Sequence, residues 1–273
     1  VALLFAGLIA SFFHLRLPER ACRSPSQWRT SWLSREVIAL PAFMGMTCLY
    51  GIIHYFGINP VLFQISGTYD VDLSLLVGAI NTLLAFTLFI CTGMIYACIK
   101  FLQEWANPLT VVNYTLLGAA SGFTLAALFA SYAGPELVLF YAGWAIIITA
   151  TGLITRAASL IRNARIKHRS TMATAIGIRH SHIQQKSRGF MAGSFNTREY
   201  FHGRTQAFLK NMKWIFLLFA FIIPLVVLAV GFRQPAIQLF VLAFVVQYVG
   251  LIAERWFFFA QANHPQNLYY QTI

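Results

Sequence analysis

Apolar residues gather along this chain in runs of roughly 20, the length of helix that crosses a bilayer core about 30 Å thick. The runs place spans near 1–13, 37–57, 73–99, 114–132, 137–155, 214–231 and 236–259. The first is too short to cross and starts inside an apolar stretch, Val1-Ala2-Leu3-Leu4, so it reads as a truncated helix. The short alternating segments of a β-barrel are missing from the pattern. It predicts an all-α fold, a polytopic transmembrane helix bundle with seven visible helices, organised as one integral membrane domain over 1–273.

The connections between spans are mostly short. Ile58 to Asp72 reads as a loop with two acids, Asp70 and Asp72, and no basic residue. Gly134-Pro135 marks one tight turn and Gly231 to Pro235 another. The exception is 156–213, a polar loop holding twelve of the twenty Lys and Arg residues and one acid, Glu199. Its first part, RAASLIRNARIKHR, reads as a helical extension of the preceding span. A connection this long in a compact protein is usually functional or a docking surface.

Composition agrees with the pattern: 58% of residues are apolar, 10% are charged, and mean hydropathy is +0.66. The charge adds orientation. Connections 14–36, 100–113, 156–213 and the C-terminal tail alternate onto one side and carry every basic residue except Arg233. The positive-inside rule makes that side cytoplasmic. Net charge +12 follows from this topology and from anionic lipid, and no nucleic-acid-binding pattern accompanies it. The four cysteines form no CxxC pair and read as small buried hydrophobes.

Few residues offer chemistry. Only His14 and His54 lie in or beside spans, near opposite membrane faces, so they cannot share one iron and haem is disfavoured. The pair His180 and His182 lacks an acidic or thiolate partner, so no metal site is assigned. Glu254 ends an apolar run in QYVGLIAERWFFFA, where an ionisable group is either functional or paired locally with Arg255. His14 and Glu36 stand at the ends of adjacent helices, at the depth of a quinone head group. Histidine suits hydrogen bonding to a quinone carbonyl, and a partly desolvated carboxylate suits proton relay. On spacing alone, an Arg35–Glu36 salt bridge and a helix-capping histidine are the better account of the pair. A transporter or channel would need polar or broken helices at mid-membrane, for which Asn81, Thr82 and Pro224 are weak candidates.

The segment FHLRLPERACRSPSQWRTSWLSREV resembles the DmsC family, the membrane anchors of DMSO reductase-type molybdenum enzymes. His14, Leu15, Pro18, Arg20 and Ala21 match a His-Leu-Gly-x-Pro-x-Arg-Ala stretch, and Ser31 to Glu36 match Ser-Trp-Leu-Ser-Arg-Glu. The loop GFMAGSFNTREYFHGR and the tail AERWFFFAQANHPQNLYY are similar to the family too, so the likeness covers the whole chain. It departs at Arg16, where the family usually has glycine and where an arginine narrows or re-charges the head-group pocket.

The resemblance implies eight helices in the full chain and a bacterial inner-membrane location. It also implies a three-part complex, with molybdenum bis-pterin in a catalytic subunit and [4Fe–4S] clusters in a ferredoxin-like one. The anchor would exchange electrons with ubiquinone or menaquinone and hold no haem or other metal. His14 and Glu36 take the catalytic roles, and His14, Arg16, Arg35, Glu36 and Glu254 form the candidate quinone-binding set. Cytoplasmic basic loops resemble the anchors of cytoplasmic sulfite-oxidising enzymes, with both partner subunits on that side. The alternative is a quinol-oxidising anchor of a DMSO or related reductase.

Overall fold

The computed structural model describes residues 1–13, 18–65, 69–167, 171–178, 180, 182–183 and 205–265. The chain is predominantly helical, as the run lengths predict, and among the described residues six helices are long and apolar enough to cross a membrane. Its contacts group into two compact units, Val1–Ile95 and Tyr96–Ile273.

In the first unit, α1 (Ala2–Phe13) precedes a 3-10 segment (Pro18–Gln27) and α2 (Trp32–Phe56). Helix α2 starts five residues before its apolar run because Ser31 caps it, its side chain accepting from the Ser34 N–H. It ends at Gly57, whose φ of 66° is the left-handed conformation that glycine adopts without strain.

The expected loop from Ile58 to Asp72 is instead an antiparallel hairpin, β1 (Val61–Ile65) and β2 (Tyr69–Asp72). Its strand VLFQI continues the apolar character of the preceding span, so hydropathy alone does not separate them. Gln64 Nε2 donates to Asp70 Oδ1 across the hairpin at 2.6 Å. Asp72 then accepts from the Leu75 N–H, Asn59 Nδ2 and Ser74 Oγ, fixing the start of α3 (Leu73–Ala97). These donors, the Leu75 amide foremost, hold its carboxyl below the usual carboxylate range.

Helices α2 and α3 are joined by polar side chains. The Thr47 hydroxyl lies 3.1 Å from Asn81 Oδ1 and 2.8 Å from the Phe43 carbonyl oxygen, so Asn81 serves to tie helices. Nearer the start of α2, Thr92 Oγ1 lies 2.5 Å from Glu36 Oε1.

The second unit contains α4 (Pro108–Ala133), α5 (Val138–Ala164), the short α6 (Met172–Ile176), α7 (Gln206–Leu217), α8 (Ile223–Arg233) and α9 (Ile237–Ala260). Asn107 caps α4, with Pro108 at its first position. Helix α5 absorbs the beginning of the basic loop, as its sequence predicts, and runs on to Ala164. Ala127, Ala130, Ala142, Ala145 and Ala243 let α4, α5 and α9 approach closely around Leu228 and Phe240.

Helices α7 and α8 form one span interrupted by a π turn, Leu218–Ile222. Pro224 explains the widening: its ring clashes with the carbonyl four residues back, and it has no N–H to donate. Gly250 of α9 packs against this turn. A Cβ there would stand 2.1 Å from the Ala220 nitrogen and 2.3 Å from the Phe219 carbonyl carbon.

One charged contact is sealed inside this unit. Arg156 of α5 and Glu254 of α9 are each 2% exposed, and Arg156 Nε lies 2.8 Å from Glu254 Oε1. The contact is an ion pair whose angle falls short of hydrogen-bond alignment. Arg255 Nε approaches the other oxygen at 3.7 Å, and its guanidinium lies 3.7 Å from the Tyr114 ring centroid. Beside the pair, Asn113 Nδ2 donates to Ser159 Oγ at 2.8 Å. Of the cysteines only Cys91 is buried, while Cys22 and Cys98 are exposed, so the buried-hydrophobe reading fails for those two.

The close packing at the π turn sets an expected contrast between two glycines. Gly250→Ala forces the bulged backbone aside and lowers stability by about 3 kcal/mol, the upper end for overpacking. Gly143→Ala, whose Cβ meets only a Phe232 side-chain atom at 3.6 Å, is neutral or stabilising. Thermal unfolding of the detergent-solubilised protein checks both, and equal melting temperatures for the two variants would refute the close approach.

The buried pair behaves asymmetrically. Arg156→Met strands the Glu254 carboxylate, which Arg255 only partly compensates, and costs about 3 kcal/mol. Glu254→Gln leaves two guanidinium groups together and costs more, up to about 5 kcal/mol. The double variant Arg156→Met/Glu254→Met regains most of the loss in the same unfolding measurement.

Candidate functional site

Glu36 belongs to the first turns of α2, half-buried, with its carboxylate turned to α3. The Thr92 hydroxyl is 2.5 Å from Glu36 Oε1 and 3.0 Å from the Leu88 carbonyl oxygen. Its single hydrogen can serve only one of them at a time. When Glu36 is ionised, Thr92 donates to it. When Glu36 is protonated, the carboxyl donates to Thr92 Oγ1, and Thr92 donates to Leu88. Both protonation states are satisfied without moving a helix.

Arg35 is the neighbour expected to neutralise Glu36, and its contacts lie elsewhere. Its Nε donates to the Trp28 carbonyl at 2.9 Å and its Nη2 to the Arg29 carbonyl at 2.8 Å. Its guanidinium also lies 4.2 Å from the Trp32 ring centroid. Arg35 thus pins the turn after the 3-10 segment onto the start of α2. The alternative of a local salt bridge is not formed: the arginine serves carbonyls and the carboxylate serves a hydroxyl. His14 and Arg16, the other members of the expected pocket in this unit, lie outside the described residues.

Glu254 lies in the second unit, in the ion pair with Arg156. The expectation of a local partner is met in part by Arg255 at 3.7 Å, and the nearer partner comes from another helix. Around the pair is a small cavity of about 10 Å3, lined by Glu104, Asn107, Asn113, Arg156, Ser159 and Glu254 among others. That volume admits about one water. Asn113 Oδ1 and Arg156 Nη2 are buried and have no hydrogen-bond partner among the described residues, so a water there would satisfy them. Glu104, in the connection before α4, is buried at 8% exposure.

The remaining titratable candidates are peripheral. His54 is exposed near the end of α2, its ring 4.4 Å from that of Tyr50. His180 Nδ1 accepts from the His182 N–H at 3.0 Å, a local loop bond between exposed residues. Among the described residues, no group of three His, Cys, Asp or Glu side chains gathers as a metal site.

Sequence reasoning missed Thr92 and Arg156. A threonine in LFICTGMIYA reads as an ordinary helix residue, and Arg156 reads as one more cation of the basic loop. The available signal was the carboxylate itself: at membrane depth it demands a partner.

Known proteins share this sequence along nearly its whole length. The family model described as DMSO reductase anchor subunit (DmsC) matches residues 1–270. A sulfite dehydrogenase subunit of Allochromatium vinosum is 53% identical over 271 residues, which cover 99% of this chain and 83% of that protein. No solved structure matches. A match running through both units, together with a carboxylate held at the start of α2 within the motif that carries the resemblance, shows that the chain belongs to the DmsC family of membrane anchor subunits.

Proposed function

We propose that this chain is the quinone-reactive membrane anchor of a three-subunit molybdenum and iron–sulfur oxidoreductase, passing electrons from sulfite oxidation to the quinone pool. The relative's name supports the sulfite assignment, at an identity high enough to expect a shared role. The observation that carries the quinone assignment is the Glu36–Thr92 contact, a half-buried carboxylate that no cation among the described residues pairs with and that a hydroxyl holds. The catalytic and iron–sulfur partners would dock on the side that carries all the basic residues except Arg233, which the charge rule makes cytoplasmic.

Quinone reduction consumes two electrons and two protons. Electrons would arrive from an iron–sulfur cluster of the partner, and this chain's residues would handle the protons and the head group. Glu36 would hold a proton at its carboxylate and pass it on, with Thr92 keeping the group in place in either state. His14 would supply a hydrogen bond to a quinone carbonyl, and Arg16 would shape or charge the pocket beside it. Arg35 positions Glu36 by fixing the preceding turn. Glu254, in its ion pair, would set the electrostatic field of the second unit.

In the purified complex, His14→Ala and Glu36→Gln leave assembly and sulfite-dependent dye reduction intact but lower quinone-coupled turnover by at least ~100-fold. Both variants reducing quinone at the wild-type rate would sink the site. Thr92→Val keeps the carboxylate but removes its partner. It lowers the quinone-coupled rate by about tenfold and shifts its pH profile, an effect that Thr92→Ser rescues. The direction of flow is checked in the same preparation: sulfite-dependent quinone reduction supports the proposal, whereas quinol-dependent DMSO reduction without it supports the reductase alternative.

A further inference from the structure

A groove of about 400 Å3 runs along the second unit, between α5 and the α7–π turn span. Its walls are apolar, built from Leu153, Ala157 and Leu160 on one side and Leu217 and Ile222 on the other. From Leu153 to Ala164 the α5 backbone rises about 16 Å, enough to lodge most of an acyl chain. Ala157 and Ala164 make the trough, because alanine leaves room that the leucines around it do not.

The two ends of the groove differ. At the end that carries the basic loop, it is closed by Lys213 and Trp214. The Lys213 ammonium lies 5.2 Å from the Trp214 ring centroid, and no carboxylate among the described residues pairs with it. Glu254, the acid on the adjoining α9, is already taken by Arg156. Further cations stand at the same end: Arg165 and Lys167 follow α5 directly, and Lys210 lies one turn before Lys213, all three exposed. An exposed tryptophan beside lysine is the arrangement of a membrane interface, where the ring sits at head-group depth and the ammonium reaches the phosphates.

An apolar trough ending in a cluster of cations that no described carboxylate neutralises selects a molecule with a hydrocarbon tail and a negatively charged head. We propose that this groove is a binding site for one anionic phospholipid, its acyl chain along α5 and the π turn and its phosphate on Lys213. A zwitterionic lipid brings its own ammonium into the same cation cluster and loses the net attraction. A quinone brings no charge at all.

The test is lipid retention by the intact complex, purified in mild detergent, washed, and analysed by lipid extraction and mass spectrometry. The wild type retains anionic phospholipid through the wash. It also rebinds lipid from phosphatidylglycerol vesicles in preference to phosphatidylcholine vesicles. Lys213→Gln lowers retention by about fivefold, the effect of one basic residue at a membrane surface, and Lys213→Arg restores it. Ala157→Phe fills the trough and removes the lipid while every charge remains. Arg233→Gln, at the opposite end of the same span, leaves retention unchanged. The proposal is overturned if Lys213→Gln and Ala157→Phe retain as much anionic lipid as the wild type. Equal loss in Arg233→Gln, or retention of quinone or neutral lipid in place of the phospholipid, overturns it as well.

Discussion

Inside a bilayer there is no water to complete a hydrogen bond, so each polar group carried into a span must find its partner within the protein. This constraint organises both units. In the first, α2 and α3 are tied by Thr47 to Asn81 and by Thr92 to Glu36, polar contacts between helices that bury few apolar side chains. In the second, Gln247 Nε2 donates to Thr149 at 3.2 Å, and Asn113 donates to Ser159. The Arg156–Glu254 pair adds a charged contact to the same helix arrangement.

Close approach of backbones is the second requirement, since lipid tails compete on equal terms with apolar side chains for a helix surface. The alanines of α4, α5 and α9 answer it along most of the second unit. At the π turn the approach is tighter, and Gly250 is the residue that admits it. Pro224 and Gly250 are thus complementary: one widens the helix, and the other gives the widened turn room against α9. Neither is intelligible from its own segment, because the cause lies in one span and the accommodation in another.

The spans were legible in the sequence because their signal is additive over many residues and depends on the solvent rather than on any partner. Their ends were less so. Helix α2 begins at Trp32 because of a cap supplied by one serine, and the hairpin at Val61 is hidden by apolar residues that continue the hydropathy of α2. The candidate site divides in the same way. Glu36 and Glu254 stood out as carboxylates at membrane depth, and the motif around Glu36 carried the family. Their partners, Thr92 and Arg156, were not legible, since the pairing is made by tertiary contact between residues that are ordinary in their own helices.

Those partners are what separate two carboxylates that the sequence presents alike. Glu254 faces one guanidinium at 2.8 Å and a second at 3.7 Å, in a cavity with room for about one water. The arrangement depends on its negative charge, which stands between the buried Arg156 and the partly exposed Arg255. Glu36 faces a hydroxyl that donates to a carboxylate or accepts from a carboxyl with equal competence, while Arg35, its neighbour in sequence, is engaged by backbone carbonyls. Among the described residues, Glu36 is therefore held by a hydroxyl and by no ion pair. Choice of partner alone thus separates two carboxylates, one bound into a buried ion pair and one hydrogen-bonded to a neutral hydroxyl.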